Sequence, residues 1–302
     1  MVLDIRQRIA GKLRDLVAEP IAQGTHQATT LAIAASKGGV AKTTTAINLA
    51  SSYARKGQRV LLIDLDPQAH VAACLRAHSP AGKGYLSDVL MGKLREVTEV
   101  VFPSGIANLT LAGSDKTLAE TEMLLSTKIG KELLLDSALN ATRSHFDVII
   151  LDCPPNLGTL TLNALCAADH LLIPCDMSIL ALEGVGDMLT AIDTLRTRLR
   201  RHIRVAGIVA TRVDGRTTRM NSDIQNSFAE LFGNTLLQTQ IPLNSAVNKA
   251  HLAGKPVWDY AKRSPGAIAY DALSDELFGP LGLSTPSTES NVPTMANTDR
   301  PN

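Results

Sequence analysis

Aromatic residues make up only 3% of this 302-residue chain, so nucleic-acid binding by stacking bases on aromatic rings has little to work with. No uninterrupted apolar run approaches the ~20 residues that cross a bilayer as a helix. The first thirty residues carry charges throughout and lack the apolar stretch of a secretory leader. Cysteine is scarce, and Cys74, Cys153, Cys166 and Cys175 show no C-x-x-C spacing. A reduced, cytoplasmic protein is therefore the expectation. An excess of one charge is missing too. Lys and Arg number 30 against 29 Asp and Glu, for a net charge of +1, so any surface for a polyanion must be local.

What is present is a globular composition, 45% hydrophobic and 20% charged, long enough for one large domain or two modest ones. Its most informative stretch is Leu31 to Thr45, LAIAASKGGVAKTTT. Leu31 to Ala35 reads as a buried strand, Ser36 to Ala41 as a loop, and Lys42 to Tyr53 as a helix. Strand, glycine loop and helix N-terminus, in that order, form the context of a phosphate-binding loop. Gly38 and Gly39 let backbone amides turn toward an anion with no Cβ in the way. Lys42 is placed to reach β- and γ-phosphates, and the Thr43 hydroxyl to hold Mg²⁺. Ala41 stands where the commoner pattern has its second glycine.

Two further strands end in carboxylates. Arg59 to Asp66, RVLLIDLD, contains the apolar run Val60 to Ile63 followed by Asp64, Asp66, Pro67 and Gln68. Phe146 to Asn156, FDVIILDCPPN, runs through Val148 to Leu151 into Asp152, then through Pro154 and Pro155 toward Gly158. Ligands of open parallel sheets bind at the C-terminal edge of the strands, where these acids fall. The second half continues the alternation. Leu171 to Cys175, Arg204 to Thr211 and Leu236 to Ile241 read as strands, and Ser178 to Arg200 and Gly266 to Phe278 as helices. Leu118 to Leu139 carries helical periodicity. The implied fold is α/β, a mostly parallel twisted sheet with helices on both faces.

KGGVAKTT resembles the deviant Walker A box, K-G-G-x-x-K-[ST]-T, of the ParA/MinD family of ATPases. LLIDLDPQ is similar to that family's first switch box, and VIILD to its Walker B strand. The resemblance runs from about Leu31 to about Leu281 and includes ALEG at Ala181 to Gly184, IPLN at Ile241 to Asn244 and GKP at Gly254 to Pro256. It implies a P-loop NTPase fold over residues 29–283, after an N-terminal helix and linker at 1–28 and before a disordered tail at 284–302. The implied nucleotide-binding residues are Lys37, Gly38, Gly39, Val40, Ala41, Lys42, Thr43, Thr44 and Pro242. Lys37, Lys42 and Asp66 would act in catalysis, with Asp66 orienting the attacking water. Thr43, Asp64 and Asp152 would support Mg²⁺, the two acids through water.

The resemblance also implies an ATP-dependent partition ATPase that forms a homodimer on ATP, with Lys37 reaching the partner's nucleotide. Such dimers bind double-stranded DNA without sequence preference, release it after hydrolysis stimulated by a ParB-like centromere-binding protein, and are cytoplasmic and nucleoid-associated. The DNA-binding candidates here are Arg196, Arg200, Arg216, Arg219, Lys249, Lys262 and Arg263. The chain departs from the I-P-R-N-x-R pattern of many small ParA proteins, with Leu243 and Ala246 in place of the arginines. Three rival readings exist. A MinD-like ATPase would bind membrane, an expectation that the polar tail from Ser284 opposes. A metabolic enzyme of the same fold would be an amidoligase or an iron–sulfur reductase, the latter needing paired cysteines. A third would position a cargo other than DNA.

Overall fold

The computed structural model describes residues 28–80, 83–176, 178–215, 226 and 228–284, with only the backbone of residues 179 and 180. The expected N-terminal helix, nearly all of the expected tail, Arg216 and Arg219 lie outside these residues. Eight strands are β1 (Thr29–Ile33), β2 (Val60–Asp64), β3 (Val101–Pro103), β4 (Leu109–Ala112), β5 (Val148–Asp152), β6 (His170–Asp176), β7 (Arg204–Val213) and β8 (Leu236–Pro242). Helices comprise α1 (Lys42–Arg55), α2 (His70–Leu75), α3 (Leu86–Leu90), α4 (Leu118–Leu125), α5 (Leu134–Leu139), α6 (Thr159–Ala167), α7 (Ile179–Leu199), α8 (Ser245–Leu252), α9 (Val257–Ala261) and α10 (Pro265–Phe278).

The strands form one sheet in the order β3-β4-β2-β5-β1-β6-β7-β8. All of its described pairings are parallel except β3 with β4, which is antiparallel at the edge. A strand covered by helices on both faces is apolar at every position, and period-two alternation then decides which layer each side chain joins. In β1, Leu31 and Ile33 pack with Leu49 and Tyr53 of α1 and Leu273 and Leu277 of α10. Ala32 and Ala34 face the opposite way, toward Leu160 and Ala164 of α6 and Val185 and Leu189 of α7. Small residues on that face admit α6 close to the central strand.

Helix α1 is held by more than apolar contact. Ser52 and Ser274 share a buried hydroxyl hydrogen bond of 2.8 Å between α1 and α10, and Arg55 pairs with Asp271 at 2.7 Å while lying over the Trp258 ring. Buried Asn48 donates to Thr44 O and accepts from the Val257 amide at the start of α9. These fastenings fix the helix whose N-terminus meets the glycine loop.

The helical periodicity of Leu118 to Leu139 resolves into α4 and α5, parted at Gly130, whose φ of 72° leaves the right-handed region. Arg196 and Arg200 end a helix whose apolar stripe joins one core layer, whereas Lys249 rides on a helix packed into the other and Lys262 and Arg263 lie between α9 and α10.

Tyr53 is wholly buried with no hydrogen-bond partner for its hydroxyl among the described residues. Leaving such a group unpaired costs about 1–3 kcal/mol. Tyr53→Phe is expected to leave stability unchanged or raise it by about 1 kcal/mol, read from the denaturant midpoint, instead of producing the usual loss.

Candidate nucleotide and metal site

The C-terminal edge of the central strands gathers the expected residues. Asp152 at the end of β5 lies opposite Ile33 of β1 on one side and Asp64 of β2 on the other. The loop 36–41 crosses above them, and a Cβ on Gly38 would lie 3.7 Å from the Pro155 side chain. Gly39 has φ 77° and Ala41 φ 66°. Ala41 precedes α1 and has no side-chain oxygen to cap it, so the first amides of the helix are left to an anion. Left-handed backbone costs an alanine about 1–2 kcal/mol that glycine avoids.

Lys42 is buried at the first position of α1, its ammonium donating to Lys37 O at 2.9 Å. Burial lowers its pKa, and Asp152 is foremost among the charges that oppose this. Lys37 reaches the other way, pairing with Asp176 at 2.7 Å at the end of β6; both are partly exposed. The second oxygen of Asp176 accepts from the Ser178 hydroxyl.

The three acids differ in environment. Asp64 is fully buried, and its two oxygens accept the amides of Asp66 and Val71, each at 3.0 Å. Burial pushes its pKa up to about 7 despite these two bonds. Through them it shapes the loop to α2. Asp66 is buried on that loop and accepts from the Gln68 amide. Asp152 is fully buried, and neither of its oxygens has a hydrogen-bond partner among the described residues. Burial, then the nearby charge of Asp64, raises its pKa well above the carboxylate range, while the Thr43 hydroxyl favours the charged form without completing a bond. A buried, unsatisfied carboxylate beside a threonine hydroxyl fits a hydrated Mg²⁺, which is a hard ion that keeps several waters.

Pro242 ends β8, in register with Val213 at the end of β7. Two residues that the motifs do not flag also bear on the loop. The Thr211 hydroxyl donates to Val40 O, and Arg212 to Gly39 O. Both follow the apolar run of β7, and position at a strand end was their one sequence signal. Of the basic candidates, Arg196 is half-buried in an ion pair with Asp193, and Arg200 terminates α7 in a left-handed conformation. Lys249, Lys262 and Arg263 are exposed, as is Lys255 between them.

Strand, glycine loop, helix N-terminus and strand-terminal acids in register define a P-loop nucleotide-binding protein. A family model described as an AAA domain matches residues 28–205. The chromosome-partitioning ATPase Soj of Thermus thermophilus is 37% identical over 82% of this chain and 94% of its own length. The chromosome partitioning protein ParA of Caulobacter vibrioides is 35% identical over 82% and 92%. Among solved structures, cobyrinic acid a,c-diamide synthase of Mycobacterium smegmatis, with ADP and magnesium bound, superposes with a TM-score of 0.71 at 31% identity, over 87% of this chain and 100% of that one. The chain belongs to the ParA/MinD family of P-loop ATPases, on the side of the ParA-type partition proteins.

Two substitutions probe this geometry. Ala41→Gly is expected to raise stability by about 0.5–1 kcal/mol, the left-handed strain relieved less the entropy glycine loses on folding. Asp152→Asn removes a buried charge and is expected to stabilise the metal-free protein by about 1–3 kcal/mol while abolishing Mg²⁺-dependent hydrolysis. The pH dependence has a definite sign. Asp64 and Asp152 bind protons more tightly folded than unfolded. The part of the metal-free protein's stability that Asp64 contributes is therefore lost as pH rises from about 4 to about 7. Denaturant midpoints across that window should flatten in Asp64→Asn, whose side chain no longer titrates there.

Proposed function

We propose that the chain is an ATPase that dimerises on ATP, binds double-stranded DNA without sequence preference, and leaves it after hydrolysis stimulated by a ParB-like partner, so positioning a DNA cargo. Its cofactors are ATP and Mg²⁺, and its place is the cytoplasm, on the nucleoid. The observation that carries the DNA reading is the segment Lys249 to Arg263, where Lys249, Lys255, Lys262 and Arg263 are all exposed against the single exposed acid Asp259. The partition names of the relatives support it.

The loop amides of Gly38 to Thr44 and the Lys42 ammonium bind the phosphates. The Thr43 hydroxyl, and Asp152 through water, would hold Mg²⁺, which would supply neutralisation of phosphate charge. Asp64 supports that site from beside Asp152, its oxygens fastening the loop that carries Asp66. Asp66 positions the attacking water and accepts its proton. Three sheet spacings, roughly 14 Å, separate β1 from β8, a span suited to placing the base against Pro242. Lys37 leaves Asp176 for the partner's γ-phosphate, a contact that exists only in the ATP dimer and so biases the equilibrium toward it.

Binding to arbitrary duplex DNA with ATP, ADP or no nucleotide, over a salt series, tests the reading. Tight binding with ATP alone, falling steeply with salt, is the expected result. Lys42→Ala should abolish nucleotide and DNA binding together. Asp66→Ala should keep ATP and hold the protein on DNA. Absence of DNA binding in every state, with retention on anionic vesicles, would replace DNA with a membrane surface.

A further inference from the structure

Two successive carbonyls of the glycine loop are held from outside the phosphate cradle by two successive residues of β7. The buried Thr211 hydroxyl lies 3.0 Å from Val40 O and 3.3 Å from Cys175 O, and Arg212 Nη1 donates to Gly39 O at 2.9 Å. A trans peptide is planar, with its N–H opposed to its C=O. A bond that pins Gly39 O outward therefore aims the Val40 amide inward, and one on Val40 O does the same for the Ala41 amide. Arg212 holds its place at φ 56°, in the left-handed region that long side chains seldom adopt. Such conformations persist where surrounding contacts impose them, and they concentrate at functional sites.

We propose that Arg212, with Thr211, is a positioning residue for nucleotide binding. Arg212 acts through the Gly39 carbonyl and Thr211 through the Val40 carbonyl, and together they set the amides of Val40 and Ala41 before the phosphates arrive. The inference rests on the loop's being the phosphate cradle. A guanidinium suits the task because it stays charged and its planar donors are fixed in direction. Preset amides need no reorganisation on binding, so the contact contributes to affinity without touching the ligand.

The test is calorimetric titration of ADP and of the non-hydrolysable analogue AMPPNP into the wild type, Arg212→Gly, Arg212→Lys, Thr211→Val and Lys42→Ala, with thermal unfolding of each. Glycine at 212 accepts the backbone conformation freely and removes only the clamp. Arg212→Gly is therefore expected to unfold no lower than the wild type and yet bind both nucleotides about tenfold more weakly, the scale of one lost charged hydrogen bond. The loss should be equal for ADP and AMPPNP, because the amides serve phosphates common to both. Arg212→Lys should recover part of it, and Thr211→Val should weaken both nucleotides in the same ratio. Wild-type affinity in Arg212→Gly, or a loss confined to AMPPNP, would overturn the clamp. Normal binding by Lys42→Ala would overturn the cradle assignment itself.

Discussion

A carboxylate buried in the middle of an eight-stranded sheet, with neither oxygen hydrogen-bonded among the described residues, is a standing electrostatic cost, and much of the strands' C-terminal edge is arranged around it. Asp152 is flanked in register by Asp64, faced by Thr43 and opposed by the Lys42 ammonium. A core built only for stability would carry an apolar residue there, since buried charge is weak evidence of stabilisation. Its retention makes sense when a nucleotide-borne cation completes the arrangement. Ala41, left-handed at φ 66° at the head of α1, is a second such cost at the same edge.

The sheet's role is to bring distant segments to one level. Parallel pairing places every strand's carboxyl end on the same side, so the loop after β1, the acids after β2 and β5, Asp176 after β6 and Thr211-Arg212 at the end of β7 meet although they are scattered over most of the chain. The two core layers then divide the labour. One seats α1 against α10 and α9, fixing the helix that begins at Lys42. The other carries α6, the helix that follows Pro154 and Pro155, and the Leu160 amide there is held by Glu122 of α4.

The central strands and the loop were legible in the sequence because a doubly covered strand is a continuous apolar run, and because a run that stops at an acid marks the sheet's functional edge. The short helices α2, α8 and α9 were not, since five to eight residues carry too few turns for a periodic signal. Strand β3 escaped because three residues at an edge have no buried run to show. The division of the cations between two layers could not be read from spacing, which records distance along the chain and not the face of the sheet. Arg212 was visible as a strand-end residue, but its hold on Gly39 depends on β7 lying two strands from β1.

The cysteines acquire a use from where they sit. Cys153, Cys166 and Cys175 are buried and free, and desolvation lifts Cys166 to about 11 and Cys175 to about 12, with Cys153 raised as well. Alkylating reagents attack the thiolate, so these thiols are silent in the closed molecule and become reactive when their surroundings part. Cys153 adjoins Asp152 and Cys175 adjoins Asp176. The protein thus carries its own chemical clocks at the C-terminal edge of the sheet, one behind Asp152 and one behind the ion-pair partner of Lys37. Their labelling rates report local opening at each place without any foreign probe.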